Sequence, residues 1–195
     1  MGYVVAISGT HGTGKTTSVF DLARQLKITY PKKTIIPLTE QAALSPYPIN
    51  KEATKKSQMW IFVSQIAREL ELLSRFDIVV SDRSAVDSIA YARFCGFDEL
   101  ADDMVSMVRH HMPVYKQIHF KFRLENEFWF PDGLRDSDDR DFREKIERIL
   151  LDIYQELGFF FSRTSSKCLP GAGLCETGFS IYPGGIHHGL ENTSI

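Results

Sequence analysis

Residues 9 to 16, Gly-Thr-His-Gly-Thr-Gly-Lys-Thr, carry the plainest chemistry in this chain. The spacing Gly9-x-x-x-x-Gly14-Lys15-Thr16 is the P-loop pattern, whose glycines let backbone N–H groups turn inward around a phosphate chain. A helix beginning there adds the positive end of its dipole. Lys15 can reach the β- and γ-phosphates, and the Thr16 hydroxyl is placed to coordinate Mg²⁺. The expected nucleotide cradle therefore runs through Gly9, Thr10, His11, Gly12, Thr13, Gly14, Lys15, Thr16 and Thr17. His11 occupies a variable position of the motif, where its backbone matters more than its ring.

Other residues could complete a phosphate-transfer site. In a parallel sheet, ligands sit beyond the carboxyl ends of the strands. Asp82 follows a short apolar run there, where a carboxylate can hold Mg²⁺ through water or accept a substrate proton. Arg83 beside it could pair with phosphate oxygens, and Glu40 follows another strand as a candidate base for an attacking hydroxyl. Ordinary roles stay open, since Asp82 can cap the next helix and Arg83 can form a surface ion pair. Phosphoryl transfer spreads charge over equatorial oxygens, which a mobile arginine can neutralise. Arg135 and Arg140, in a charged loop of residues 125 to 140, suit that task, although nearby aspartates could pair with them instead. Gln58 and Gln65 share a helix face and could read a base edge, but most helix glutamines simply face water. Trp60 and Phe62 are better suited to the core, and Asp87 could meet a sugar hydroxyl.

The elements that position these residues follow from periodicity. Tyr3 to Ile7 is β-branched and apolar, a buried strand, and Thr17 to Leu26 follows as a helix with Val19, Leu22, Ala23 and Leu26 on one side. Lys33 to Leu38 is a second strand. Met59, Val63, Ile66, Leu70 and Leu73 mark the face of a long helix, and Phe76 to Ser81 is a third strand running into Asp82. Helices are expected over residues 84 to 94 and around Leu100, Met104 and Val108. Ile118, Phe120, Phe122 and Leu124 alternate with polar residues as a fourth strand with one face partly covered. Phe142, Ile146, Ile149, Ile153 and Leu157 trace an amphipathic helix, and Phe159 to Phe161 reads as a fifth strand. Strands alternating with helices argue for an α/β parallel sheet covered on both faces.

Composition excludes several classes. A chain of 195 residues with 43% hydrophobic content reads as a domain with a sizeable core. Its net charge of −2 gives no footprint for nucleic acid. No segment reads as a membrane span, the N-terminus enters a strand at once, and the three cysteines form no framework. A cytoplasmic protein is expected. Residues 1 to 165 read as the nucleotide-binding unit, and 166 to 195 as an irregular tail rich in Gly and Pro. Cys168, Cys175, His187 and His188 in that tail match no zinc spacing.

With these motifs in place, the chain resembles the small P-loop kinases: thymidylate kinases, deoxynucleoside kinases and the ATP-binding domain family that includes ribosylnicotinamide kinase. The resemblance covers residues 1 to about 162. It rests on Gly-Thr-His-Gly-Thr-Gly-Lys-Thr at 9 to 16, Asp-Arg-Ser at 82 to 84, and Asp-Gly-Leu-Arg at 132 to 135. It implies a three-layer P-loop NTPase fold with a five-stranded parallel sheet of order 2-3-1-4-5 and an arginine-bearing lid over ATP. It also implies transfer of the ATP γ-phosphate to a nucleoside, nucleotide or similar small acceptor. Lys15 and Thr16 would hold phosphate and Mg²⁺, Asp82 and Arg83 would serve the reacting centre, and Arg135 would belong to the lid. The run after Glu40, Gln-Ala-Ala-Leu, lacks the arginine that often follows the acid in these families. A homodimer stays open. The rival class is a regulatory ATPase or nucleotide switch acting on a protein partner, and a third is a chain that binds nucleotide without turnover. The Asn-Lys-x-Asp signature of guanine-reading switches is missing, because Asn50-Lys51 is followed by Glu52 and Ala53.

Overall fold

The computed structural model describes residues 2–49, 52–121, 140–159 and 162–163. Strands β1 (Tyr3–Ser8), β2 (Ile35–Leu38), β3 (Ile78–Asp82) and β4 (Tyr115–Phe120) form a parallel sheet in the order β2-β3-β1-β4. A two-residue strand, β5 (Ser162–Arg163), adds itself beside β4. The connecting helices are α1 (Lys15–Thr29), α2 (Lys55–Leu73), α3 (Ala85–Phe94), α4 (Asp98–His111) and α5 (Arg140–Glu156).

Alternation along β1 divides the core. Val5 and Ile7 join Val19, Leu22 and Leu26 of α1, together with Ile78 and Val80. Val4 and Ala6 face the other way, into a larger cluster with Phe62, Ile89, Val108, Ile146 and Leu150 from the remaining helices. Successive strand residues point to opposite faces, so a strand buried on both sides must be apolar throughout. Helix boundaries follow from caps. Thr54 and Ser57 form a reciprocal capping box at α2, and Ser84 and Asp87 form another at α3. Gly96 and Gly158, with φ of 73° and 65°, follow the ends of α3 and α5 in the left-handed conformation that glycine adopts without strain.

Several elements differ from their sequence reading. Asp82 is the last residue of β3, opposite Ile7, and does not follow the strand. β4 begins at Tyr115 because of an irregularity: Tyr115 pairs with Val4 and Gln117 with Val5, leaving Lys116 extra. Such a bulge breaks strict alternation. It places Tyr115 and Ile118 in the same core cluster despite their odd separation. The face of β4 expected to be partly covered is closed, with His119 and Lys121 both buried. Pairing beside β4 is made by Ser162 and Arg163, whereas Phe159 lies outside the strand. Phe160, Phe161, Phe122, Leu124, the loop with Arg135, and the tail from 166 lie outside the described residues. Arg140 opens α5.

The largest difference is in α2. Met59, Val63 and Leu70, read as its apolar face, are about half exposed, while Gln58, Gln65 and Glu69 are buried. Phe62 is core as expected, and Trp60 is partly buried.

Burial also sets a pH dependence. It pushes the His119 imidazole from 6.5 down to about 4. The unfolded chain therefore takes up this proton first, and stability is lost as pH falls from 6.5 toward about 4. The full effect is about 3 kcal/mol for this buried side chain. His119→Gln is expected to flatten the acid limb of a urea-unfolding profile over that window. An unchanged slope would exclude His119 as its source.

Candidate active site

The loop after β1 is held at both ends. Gly14, in the left-handed conformation, is the N-cap of α1. Lys15 is buried, and its Nζ donates to the Thr10 carbonyl at 2.6 Å, as does the Thr13 hydroxyl at 3.1 Å. Lys121, just beyond β4, grips the loop from below. Its N–H donates to the Ser8 carbonyl at 2.9 Å, and its Nζ donates to the Gly14 carbonyl at 3.2 Å and the Ser18 hydroxyl at 2.8 Å.

Gly9 is constrained twice. Its φ is +138°, and a Cβ there would lie 2.5 Å from the Lys121 carbonyl oxygen. The obstacle is backbone and cannot swing aside. Gly9→Ala is expected to cost at least about 1–3 kcal/mol of strain and to displace the loop. Thermal unfolding and nucleotide affinity should both fall, and a variant unchanged in both would show that the approach is not tight.

At the start of α1, the Thr16 hydroxyl donates to Asp82 Oδ2 at 2.5 Å. Asp82 Oδ1 is buried and has no hydrogen-bond partner among the described residues. A buried carboxylate oxygen of this kind is costly unless something engages it. A hard divalent cation takes oxygen ligands of this type. The residues present therefore fit Mg²⁺ held between Thr16 and Asp82. The electrostatics agree with that fit. Burial, and next the Arg83 charge, push Lys15 down to about 7. Burial pushes the Asp82 carboxyl up, against the pull of Lys15. A polyphosphate beside Lys15 and a cation beside Asp82 would each favour the charged form.

Arg83 turns the corner from β3 to α3 with φ of 82°, unusual for a side-chain-bearing residue. Its buried guanidinium is shared. Nε donates to Glu40 at 2.6 Å, and one terminal nitrogen donates to the Gly9 carbonyl at 3.1 Å and Asp87 Oδ1 at 3.3 Å. The Tyr91 ring lies 5.4 Å away, within cation–π range. Glu40, Gln58, Ile61, Arg83, Asp87 and Tyr91 are among the residues around a cleft of about 360 Å³, open to solvent.

Behind this corner lies a buried polar layer. Gln65 donates to Glu69 Oε1 at 2.7 Å and to the Ser81 hydroxyl at 2.8 Å. Glu69 Oε2 also meets His111 at 2.6 Å and accepts from the Tyr115 hydroxyl at 2.8 Å. The Ala85 N–H, at the start of α3, donates to the same hydroxyl. These contacts explain why α2 buries its polar side.

The structure thus brings together Lys15, Thr16, Asp82, Arg83 and Glu40. Gln58 reaches the cleft, whereas Gln65 is committed to the layer behind it. Asp87 has both carboxylate oxygens bound to protein donors. The His11 ring, read as incidental, is buried 5.4 Å from the Phe142 ring and 3.4 Å from the Tyr91 hydroxyl, joining the loop to α3 and α5. Arg135 lies outside the described residues. Sequence reasoning passed over Tyr91, Glu69, Tyr115 and Lys121. Tyr91 was detectable, because it stands one helical turn beyond Asp87 and two beyond Arg83.

A family model described as an AAA domain matches residues 4–167. No curated protein sequence matches the chain. Among solved structures, thymidylate kinase from Ehrlichia chaffeensis is 18% identical with a TM-score of 0.58, covering 83% of this chain and 91% of that one. Deoxyadenosine kinase from M. mycoides is 14% identical with a TM-score of 0.54, covering 82% and 88%. NadR protein, in complex with NR, is 19% identical with a TM-score of 0.63, over 87% of this chain but only 47% of that one. At such identities the likeness concerns the fold.

Proposed function

We propose that this chain, which belongs to the AAA domain family, transfers the γ-phosphate of Mg·ATP to a hydroxyl of a nucleoside-type acceptor. The observation that carries the reading is the Glu40–Arg83 pair beside the P-loop, at 2.6 Å. It places a carboxylate on the wall of a cleft that also contains an amide, a tyrosine and apolar side chains. Clefts of this composition suit small flat ligands.

In this reading Lys15 and the loop N–H groups hold the β- and γ-phosphates, with the backbone from Gly9 to Thr17 as the cradle. Thr16 and Asp82 hold Mg²⁺, which when bound neutralises charge on the phosphates. Glu40 takes the proton of the acceptor hydroxyl as the hydroxyl oxygen bonds to the γ-phosphorus. The bond to the β-phosphate bridging oxygen breaks, and ADP leaves with the electron pair. Arg83 orients Glu40. Arg135, outside the described residues, and Arg140, the first residue of α5, are the candidate cations for the transferring phosphoryl group, within a unit of residues 1–165. No described helix is long and apolar enough to cross a membrane. A cytoplasmic setting, where ATP is plentiful, fits the reading.

Charge supports an acceptor that arrives without a phosphate. Arg83, the cation among the described cleft residues, is already paired with Glu40 and Asp87. A monophosphate entering there would lie beside the Glu40 and Asp87 carboxylates, and like charges in a partly buried site repel. Calorimetric titration in the presence of Mg·ADP should give tighter binding for a nucleoside than for its 5′-monophosphate. The reverse order would contradict a hydroxyl acceptor at Glu40.

A further inference from the structure

Asp87 has no assigned part in the reaction, yet its carboxylate accepts hydrogen bonds from Ser8, Gly9, Arg83 and Ser84. Oδ2 accepts from the Ser8 hydroxyl at 2.8 Å, and from the Ser84 N–H and hydroxyl at 2.9 and 3.0 Å. Oδ1 accepts from the Gly9 N–H and the Arg83 guanidinium, both at 3.3 Å. These donors belong to different parts of the site. Ser8 and Gly9 start the phosphate loop, Arg83 holds Glu40, and Ser84 caps α3. The Ser84 hydroxyl also meets the Tyr154 hydroxyl of α5 at 2.7 Å.

We infer that Asp87 is a positioning residue that couples the donor loop to the Arg83–Glu40 pair, so that a change at the phosphate loop is felt at the acceptor carboxylate. The coupling is short and physical. The Gly9 peptide touches Asp87 through its N–H and Arg83 through its carbonyl, so that Gly9, Asp87 and Arg83 close a ring of hydrogen bonds. Two of these bonds end on the Asp87 carboxylate and two start from the Arg83 guanidinium, so each involves an ionised group. Arg83 is buried with a left-handed backbone, which leaves little freedom to move independently. A capping box needs only the Oδ2 contacts to Ser84. Ser8, Gly9 and Arg83 are additional, and they are what distinguishes a coupler from a helix cap.

The inference rests on the proposed transfer site, but its test does not require turnover. Label the arginines with ¹⁵N, assign the Arg83 Nε–H by its loss in Arg83→Lys, and titrate with Mg·ADP. In the wild type this resonance should shift on saturation. In Asp87→Asn, which preserves shape but removes the charge, Mg·ADP should still bind within about threefold of wild type. The Arg83 shift, however, should shrink by more than half. Persistence of the full shift in a folded Asp87→Asn would overturn the inference. So would a loss of Mg·ADP affinity beyond about tenfold, which would make Asp87 part of the nucleotide cradle. If Asp87→Asn does not fold, Ser8→Ala removes one loop contact while leaving the cap intact, and should reduce the same shift; a full shift there overturns the coupling equally. Absence of acceptor-dependent ADP release by the wild type would instead sink the kinase reading and leave this result standing.

Discussion

Lys15→Ala is expected to lower kcat/KM for phosphoryl transfer by on the order of 10²- to 10³-fold, the range seen when one preorganised group is removed from developing charge. The side chain is buried at the start of α1 and reaches back into its own loop at Thr10. No other described lysine stands inside that loop, and Lys121, which meets it from beneath, is held by the Gly14 carbonyl and the Ser18 hydroxyl. Fold stability should change far less, because α1 is anchored through Val19, Leu22 and Leu26 rather than through Lys15. Steady-state kinetics together with a thermal melt check this. A folded variant with wild-type ATP affinity and rate would remove the phosphate-binding basis of the site.

Glu40→Gln should have the second large effect and a different signature. Loss of a general base typically costs 10²- to 10⁴-fold, so kcat should fall by about that amount. Mg·ATP affinity should stay within about threefold, because Glu40 meets Arg83 rather than the phosphate loop. The substituted amide can still accept from Arg83 Nε, and Arg83 keeps its contact with Asp87. Breaking a buried pair by removing one partner outright would be far more damaging. The split between kcat and nucleotide affinity is therefore the diagnostic. Equal loss of both would mean that Glu40 supports the loop instead of the acceptor.

Parts of this site were legible because their chemistry is local. The P-loop needs only contiguous residues, and strand, glycine turn and helix follow one another around it. Asp82 and Arg83 were legible because an apolar strand ends in charge, although the residue that caps α3 is Ser84, in a box with Asp87, and not Asp82. The face of α2 could not. Its apolar periodicity at Met59, Val63 and Leu70 is real, yet the covered side carries Gln58, Gln65 and Glu69. Periodicity shows that a helix has two faces, and hydrophobicity usually tells which is covered. Here the Ser81 hydroxyl and the Tyr115 hydroxyl supply partners from β3 and β4, so Gln65 and Glu69 are buried with their hydrogen bonds made. Tyr115 reaches that layer through the irregularity at Lys116, which a strict alternation rule cannot anticipate. Long-range partners chose the face, and they become neighbours only in the folded chain.

The most direct measurement is ADP release from Mg·ATP with a panel of nucleosides, nucleoside monophosphates and nicotinamide riboside. A phosphoryl-transfer site built on Lys15, Asp82, Arg83 and Glu40 should release ADP in step with formation of a phosphorylated nucleoside, and only when that nucleoside is present. Slow ADP release that is the same with every acceptor, and that rises instead on adding a protein partner, would contradict it.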